Sequence, residues 1–263
     1  MKLPAKIERW LGKRLAVTLP VPAARAMVVA LMDRDPDPVL SGVGRYLKFK
    51  RGEVDLDHMP FDLPAEGSLG FEHLAGLFAS TTLDEAIVSM SIRQTAYLYG
   101  LVRLLKPEKV IEIGRYKGGS TLVIAAAMDG RGRLWSIDIR GAEPAHGLFR
   151  PVDAQIGDLC QRLGLEVALI VGDSRTVKLE TGDVDLVFID GDHSYAGARS
   201  DFERFGRRVR VGGAVLFDDA FDDGLLETPH TAGVSRVVEE VEKAGRFRLV
   251  KRVQKLAHLE RVS

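Results

Sequence analysis

From about residue 84 to the end of the chain, short apolar runs of strand length alternate with longer segments of helical period. Strands that are connected through helices pair in parallel, because each crossover returns the chain to the same end of the sheet. The apolar run Val184–Ile189 is the clearest strand, since a strand covered by helices on both faces is apolar throughout. This pattern predicts a doubly wound α/β fold over residues 84–263.

Seven segments have strand character, and the last two differ from the others in their connection. The predicted strands are residues 110–113, 134–138, 167–171, 184–189, 214–217, 247–252 and 256–261. Only a few residues join the last two strands, which is too short for a crossover, so this pair should be antiparallel. The sequence therefore predicts a mostly parallel, seven-stranded sheet with an antiparallel last strand.

Residues 1–83 have a different organisation, in which helical patterns are interrupted by prolines and no motif is found. The expected arrangement is an N-terminal extension over residues 1–83 followed by one domain over residues 84–263. We expect the helical extension to cover the substrate or to form a dimer. A purely structural N-terminal layer is the alternative.

Charge and cysteine content limit the class of protein. Lys plus Arg number 37 and Asp plus Glu number 37, so no net field favours nucleic acid or an anionic membrane. A small-molecule substrate is expected instead, and the oligomeric state stays open. The only cysteine, Cys160, cannot form an internal disulfide. Pro20, Pro22 and Arg25 interrupt the apolar stretch 15–31, which favours a cytoplasmic protein without a signal peptide or membrane span.

A glycine-rich turn follows the first predicted strand, where residues 112–120 read Glu-Ile-Gly-Arg-Tyr-Lys-Gly-Gly-Ser. Gly114 and Gly118 let the backbone approach a ligand, and the helix that follows begins with unpaired N–H groups. The dinucleotide fingerprint requires a glycine where Tyr116 stands, so a pyrophosphate is a poor fit. The spacing acid-x-Gly-x-x-x-Gly instead resembles motif I of class I S-adenosylmethionine-dependent methyltransferases. Alternatively, the glycines only connect strand to helix.

This resemblance implies an S-adenosyl-L-methionine site at the ends of the first strands, in a Rossmann-like methyltransferase domain. Asp138 closes the second strand, where a carboxylate could accept both ribose hydroxyls, and Asp173 closes the third, where an adenine contact is implied. The implied cofactor contacts are Glu112, Gly114, Tyr116, Gly118, Ser120, Asp138, Asp173, Ser174 and Asp190. Each Asp could also be only a helix or turn cap.

A second group of acids follows the fourth and fifth strands, at residues 190–193 (Asp-Gly-Asp-His) and 218–219 (Asp-Asp). Neighbouring strand ends lie about 5 Å apart, so these carboxylates should converge and require a cation or a proton between them. Oxygen ligands suit Mg²⁺, Mn²⁺ or Ca²⁺ rather than zinc. In the alternative interpretation these acids form caps and turns, with Asp192 as a helix cap.

The resemblance becomes more specific with residues 188–195, 211–213 and 217–219. Over residues 90–260 the chain is similar to metal-dependent small-molecule O-methyltransferases related to macrolide-sugar and rhamnosyl methyltransferases and to cephalosporin-hydroxylase-like proteins. That resemblance implies Asp190, Asp218 and Asp219 as ligands of Mg²⁺ or another divalent cation, with His193 as general base. The family often has Glu-Asp where this chain has Asp-Asp, which leaves the metal open.

The expected function is O-methylation of a small hydroxylated molecule, such as a sugar or a glycosylated natural product, with no nucleic-acid or membrane partner. In-line methyl transfer needs a deprotonated acceptor oxygen about 3 Å from the methyl carbon. A bound dication lowers the pKa of the acceptor, and a histidine with an ordinary pKa of about 6.5 can take the proton. The alternatives are a metal-independent methyltransferase of the same fold, a non-catalytic cofactor-binding partner and, more distantly, a nicotinamide oxidoreductase. For His193 itself, the alternative is a surface or capping residue.

Overall fold

The structure is a computed structural model that describes residues 70–71, 74, 88, 90–116, 118–139, 157, 160–161, 164, 166–221 and 231–263. The chain divides into two units, residues 1–59 with 77–87 and residues 60–76 with 88–263. All of the described residues belong to the second unit. The predicted extension over residues 1–83 therefore lies outside the described residues apart from positions 70, 71 and 74, and its role stays a prediction.

A seven-stranded sheet forms the centre of the second unit. Its strands are β1 (Lys109–Ile113), β2 (Arg133–Asp138), β3 (Glu166–Val171), β4 (Val184–Ile189), β5 (Val209–Phe217), β6 (Phe247–Val253) and β7 (Leu256–Arg261). Their order is β3-β2-β1-β4-β5-β7-β6. Strands β1 to β5 are parallel, and β7 is antiparallel to both β5 and β6. The predicted mostly parallel sheet with an antiparallel last strand is confirmed.

Helices pack around the sheet, and they differ in how much of their surface is buried. The helices are α1 (Ile92–Leu105), α2 (Gly119–Met128), α3 (Tyr195–Arg204) and α4 (Thr231–Lys243). Helix α2 is buried along its whole length, whereas α4 buries a stripe spaced by three and four residues, formed by Val234, Val237, Val238 and Val241. Within the described ranges, no helix is long and apolar enough to cross a membrane.

Helix α1 begins at a capping box that the sequence analysis did not use. The Ser91 hydroxyl accepts from the Gln94 backbone N–H at 3.2 Å, and the Gln94 side-chain oxygen accepts from the Ser91 backbone N–H at 3.2 Å. Met90 therefore precedes the helix. The helix ends at Leu105 and is followed by Lys106, in the left-handed conformation, directly before Pro107.

Strand β5 begins earlier than predicted, at Val209 instead of residue 214. Gly212 has a φ of 74°, and a Cβ atom on Gly213 would lie 2.6 Å from the Asp185 carbonyl oxygen. The pairing of β5 with β4 shifts register in this region. The two glycines therefore form an irregularity inside the strand rather than ending a helix, because only glycine tolerates this backbone and this close approach.

Candidate functional site

The predicted site residues lie mostly at one edge of the sheet, where the parallel strands end. Ile113 of β1 pairs with Ile137 of β2 and with Ile189 of β4, and Ile189 pairs with Phe217 of β5. The segments that follow these residues are therefore neighbours, and we call this edge the carboxyl rim. We divide it into a β1–β3 half, formed by the segments after β1, β2 and β3, and a β4–β5 half, formed by the segments after β4 and β5.

The turn after β1 passes so close to the turn after β4 that only glycine fits. Gly114 has a φ of 89°, and a Cβ atom there would lie 2.0 Å from the Asp190 carbonyl oxygen. Gly118, with a φ of 81°, is the N-cap residue of α2, whose first N–H groups have no partner within the helix. Tyr116 lies between these glycines and is exposed. The glycine spacing thus brings the two halves of the carboxyl rim together.

Asp138, at the end of β2, fixes the turn after β1. One of its carboxylate oxygens, Oδ2, accepts the backbone N–H of Arg115 at 2.8 Å and that of Tyr116 at 2.9 Å. Hydrogen bonds of this kind to an ionised acceptor are stronger than those between neutral groups. The predicted contacts of Asp138 with ribose hydroxyls would add to these bonds, and they stay a prediction.

Glu112 lies beneath the turn after β1, and its side chain is fully buried. Its Oε2 accepts from the Thr121 hydroxyl at 2.5 Å and from the Ser136 hydroxyl. Burial raises the pKa of Glu112, while the hydroxyls of Ser120, Ser136 and Thr121 and the Arg115 charge act in the opposite direction. The carboxylate does not reach the surface of the carboxyl rim, so it supports the turn from below. Its predicted contact with a cofactor stays a prediction.

Asp173 and Ser174, the predicted adenine contacts, both have partners within the chain. The Arg175 guanidinium donates to both carboxylate oxygens of Asp173, with N–O distances between 2.6 and 3.0 Å, and lowers the pKa of Asp173 to about 2. Asp201 is buried, which raises its pKa to about 6, although a hydrogen bond from the Ser174 side chain opposes this shift. An adenine contact would have to share Asp173 with Arg175, and it stays a prediction.

In the β4–β5 half, His193 lies between two carboxylates. Its Nε2 is 3.2 Å from Oδ1 of Asp190, and its Nδ1 is 3.3 Å from Oδ2 of Asp219. The hydrogen bond with Asp190, together with the negative charges of Asp190, Asp219 and Asp218, raises the pKa of His193 despite its partial burial. An imidazole between two acids is stabilised in its protonated form. The geometry therefore suits a group that receives a proton.

Asp218 is the more buried member of the acid pair after β5. The Gln94 side-chain amide donates to its Oδ1 at 2.7 Å. Burial raises the pKa of Asp218 well above its ordinary value, and the charges of Asp190 and Asp219 raise it further. Asp219, whose φ is 50°, instead forms an ion pair with Lys255, with 3.2 Å between Oδ1 and Nζ. The two neighbouring acids thus have different partners.

The donors of the β4–β5 half fit a hard divalent cation in their chemistry. Three carboxylates crowd each other, and burial raises the pKa of Asp190, with the charge of Asp219 adding to the shift and His193 opposing it. Such an excess of oxygen ligands and negative charge is what Mg²⁺ or Ca²⁺ sites contain. Among the described residues, however, no group of three or more His, Cys, Asp or Glu side chains is arranged as a metal site. The positive partners that the acids contact are His193 and Lys255.

Asp192 was a candidate cap for the helix after β4, but the cap is Ser194. The Ser194 hydroxyl accepts from the Gly197 backbone N–H at 3.0 Å, and Asp192 accepts from the Ser194 backbone N–H at 2.9 Å. Asp192 therefore stabilises the turn that leads into α3 and does not cap the helix itself. Asp192 is exposed and is not one of the two carboxylates that His193 contacts.

Three residues that contribute contacts at or beneath the carboxyl rim were not predicted from the sequence, namely Gln94, Arg115 and Lys255. Ser91 and Gln94 have the spacing of a capping box, which could have placed Gln94 at a helix start. Lys255 lies in the tight turn between β6 and β7, which could have been aligned with the end of β5 once the antiparallel pairing was predicted. No local signal indicates that Arg115 is buried and donates to the Ser136 carbonyl oxygen at 2.7 Å.

Comparisons with known proteins agree on the class of domain. Residues 111–220 match a family described as "Methyltransferase domain". The catechol O-methyltransferase of Niastella koreensis is 26% identical over 176 residues, which cover 65% of this chain and 75% of that protein. The caffeoyl-CoA O-methyltransferase of Stellaria longipes is 27% identical over 61% of this chain and 66% of that protein. A Dictyostelium discoideum relative is matched over 65% of its length, so the chain spans only about two thirds of some relatives.

Solved structures share the fold. The O-methyltransferase TomG from Streptomyces achromogenes, solved in complex with SAM, has a TM-score of 0.50 and 20% identity, over 66% of this chain and 82% of that chain. Cofactor-bound Rv0187 from MTB has a TM-score of 0.51 and 20% identity, over 66% of this chain and 81% of that chain. The resemblance to class I methyltransferases that the sequence indicates is confirmed.

Proposed function

We propose that this chain, whose residues 111–220 form a class I methyltransferase domain, transfers the methyl group of S-adenosyl-L-methionine to a hydroxyl group of a small molecule. The observation that carries the proposal is the position of His193 between Asp190 and Asp219, three residues after the Asp190 backbone that approaches Gly114. A proton acceptor and a cofactor turn are thereby neighbours on the carboxyl rim, as methyl transfer to oxygen requires.

The β1–β3 half is the proposed cofactor site. The backbone between Gly114 and Gly118 can come close to a ligand. The Asp138 carboxylate fixes that backbone by accepting two of its N–H groups. In doubly wound sheets, ligands bind outside the carboxyl ends of the strands at the point where the strand order reverses, which here is between β1 and β4. The structure of TomG in complex with SAM, which shares the fold, supports the choice of ligand.

His193 is the proposed general base. Its neutral imidazole would receive the proton of the acceptor hydroxyl, and Asp190 and Asp219 would stabilise the imidazolium that forms. The acceptor oxygen then forms the bond to the methyl carbon as the bond from carbon to sulfur breaks, which gives S-adenosylhomocysteine and the methyl ether. Placing a base within hydrogen-bond reach typically contributes about a hundredfold to ten-thousandfold in rate.

A divalent cation, Mg²⁺ or another, belongs to the proposal, with Asp190, Asp218 and Asp219 as its ligands. When bound, such an ion lowers the pKa of an acceptor hydroxyl. Support comes from the crowding of three carboxylates, two of which have a raised pKa because they are buried near like charges. A cation would relieve this repulsion.

A second candidate is a metal-independent methyltransferase of the same fold. The specific observation in its favour is that Lys255 contacts Asp219 and His193 contacts both Asp190 and Asp219. These contacts neutralise part of the negative charge without an ion. In this candidate His193 remains the base, and Lys255 supplies the fixed positive charge.

The proposed acceptor is a small hydroxylated molecule, such as a sugar or a glycosylated natural product. Two relatives are named for catechol and caffeoyl-CoA, both of which carry phenolic hydroxyls, so phenols belong in the first acceptor panel. Residues 222–230, which follow the acids after β5 and were expected to contact the acceptor, lie outside the described residues.

The test uses the full chain with S-adenosyl-L-methionine and a panel of catechol, caffeoyl-CoA and methyl rhamnoside, and it measures S-adenosylhomocysteine release. Product formation that EDTA abolishes and Mg²⁺ restores supports the first proposal. Turnover that EDTA leaves unchanged supports the metal-independent candidate. Cofactor binding without product across the panel favours a non-catalytic binding protein, and absence of cofactor binding overturns the proposal.

A further inference from the structure

We propose that Gln94 is a positioning residue for Asp218, and that through it the start of α1 sets the geometry of the β4–β5 half. The inference rests on the proposed function, because Asp218 is one of the proposed cation ligands. Gln94 is 18 positions before the first acid of the glycine turn and, apart from the capping box of α1, belongs to no motif. Its importance follows only from what its side chain contacts.

The orientation of the Gln94 amide is fixed by two different partners. Its oxygen accepts the Ser91 backbone N–H at 3.2 Å, and its nitrogen donates to Asp218 Oδ1 at 2.7 Å. The Ser91 backbone N–H can only donate, so a flipped amide would place its nitrogen against another donor and lose this bond. Gln94 is 4% exposed and Asp218 is 7% exposed, so water does not readily replace either partner.

The capping box alone does not require glutamine at this position. Glutamate is equally common there, because either side chain can accept the N–H of the capping residue. A glutamate at position 94, however, would direct a carboxylate oxygen at Asp218, which already lies near the charges of Asp190 and Asp219. The donor end of the amide is therefore explained by Asp218 and not by the helix.

The contact also determines how Asp218 can serve the site. The hydrogen bond from Gln94 to Oδ1 restrains the orientation of the Asp218 carboxylate. The Asp218 backbone N–H donates to the Ile189 carbonyl oxygen at 3.0 Å. Ser91, the partner of Gln94 in the capping box, also contacts the Gln254 side chain, next to Lys255. The start of α1 and the turn between β6 and β7 thus meet at the two acids after β5.

The decisive experiment is a double-variant cycle on the cation-free full chain, with Mn²⁺ titrated as the probe. The variants are Gln94→Met, Asp218→Asn and the double variant, and Ser91→Ala is the control that removes the side-chain cap of α1. Mn²⁺ affinity, affinity for S-adenosyl-L-methionine and melting temperature are measured for each. If Gln94→Met does not fold, Gln94→Asn replaces it, since its shorter amide cannot reach Asp218.

We expect Gln94→Met to weaken Mn²⁺ binding about tenfold, as the loss of a hydrogen bond to a charged group predicts, with cofactor affinity unchanged. The loss should be absent when Asp218 is already Asn. Ser91→Ala should lower the melting temperature but keep the Mn²⁺ affinity. Equal Mn²⁺ affinity in wild type and Gln94→Met overturns the inference and leaves the proposed function intact.

A wild type that binds no Mn²⁺ instead overturns the cation part of the proposed function. The melting temperatures then decide the inference by themselves. A decrease caused by Gln94→Met that is clearly smaller in the Asp218→Asn background supports the role of Gln94, whereas equal decreases in both backgrounds overturn it.

Discussion

Both halves of the carboxyl rim contain several acids, but the surroundings shift the pKa of Asp173 in one half and those of Asp190 and Asp218 in the other in opposite directions. In the β1–β3 half, Asp138 accepts two backbone N–H groups and Asp173 is paired with Arg175, which lowers its pKa to about 2. In the β4–β5 half, Asp190 and Asp218 face other acids, and burial with like charges raises the pKa of each. Asp138 and Asp173 thus have donor partners within the chain, whereas the β4–β5 half has an excess of negative charge.

This difference indicates a division of work. Acids whose partners come from their own chain hold a turn in shape, and a neutral or cationic ligand can then bind to a surface that does not rearrange. Acids that repel each other are stabilised by a positive charge nearby, which a proton on His193, the ammonium of Lys255 or a divalent cation can supply. We therefore place the cofactor in the first half and the proton transfer in the second.

The largest effect should follow removal of His193 from the β4–β5 half. His193→Ala should lower kcat by at least about a hundredfold, because the proposed general base is lost, while cofactor affinity should change little. Steady-state kinetics with calorimetric cofactor binding checks this. Asp192→Asn, which alters only the turn before α3, is the matched control. A retained kcat in His193→Ala would remove proton transfer from this half.

Asp201 lies on α3, after β4, and differs from the paired acids of the β1–β3 half, since burial raises its pKa from an ordinary 3.8 to about 6. The folded protein binds this proton more tightly than the unfolded chain, so stability falls as the pH rises from about 4 to about 6 and stays lower above that range. Asp201→Asn should therefore stabilise the protein above pH 6, by at most about 3 kcal/mol, and have little effect below pH 4. Urea unfolding at pH 4 and pH 7.5 measures the difference. An equal increase in the free energy of unfolding at both pH values would mean that the charge of Asp201 does not destabilise the folded protein.

Asp138 tests whether the β1–β3 half is held by its acids. Asp138→Ala removes the acceptor of two backbone N–H groups, so the affinity for S-adenosyl-L-methionine should fall about tenfold or more with a smaller change in kcat. Asp138→Asn, which keeps one acceptor oxygen, should lose less. Calorimetric titration of the cofactor separates the two variants. A kcat loss without a loss of affinity would assign Asp138 to the reaction step.

The fold and the turn after β1 could be predicted from the sequence because their signals are local. A strand buried on both faces must be apolar, as Val184–Ile189 is, and Gly114 reports a backbone approach that no other residue allows. The irregularity in β5 could not be predicted in this way, because adjacent glycines such as Gly212 and Gly213 are also typical of a turn between elements.

The partners of the acids could not be predicted in the same way, since they come from distant parts of the chain. Gln94 reaches Asp218 across 124 positions, and whether a polar side chain on α1 points at the sheet depends on packing rather than on its neighbours. Arg175 is different, because it lies two positions after Asp173, and their pairing could have been anticipated. Sequence thus identifies the acids but not how each one is neutralised.

Lys255 gives the smallest expected effect, and it distinguishes the two forms of the proposed function. Its ammonium competes with a cation for Asp219, so Lys255→Met should strengthen Mn²⁺ binding by about fivefold, a modest gain because the side chains are partly exposed and screened. Lys251→Met, at an exposed position on β6, is the matched control and should leave Mn²⁺ affinity unchanged. If the enzyme works without a metal, Lys255 is the fixed positive charge of the β4–β5 half, and Lys255→Met should instead lower kcat without rescue by Mg²⁺. Tighter Mn²⁺ binding with kcat retained therefore favours the cation, and loss of kcat with EDTA-insensitive wild-type activity favours the lysine.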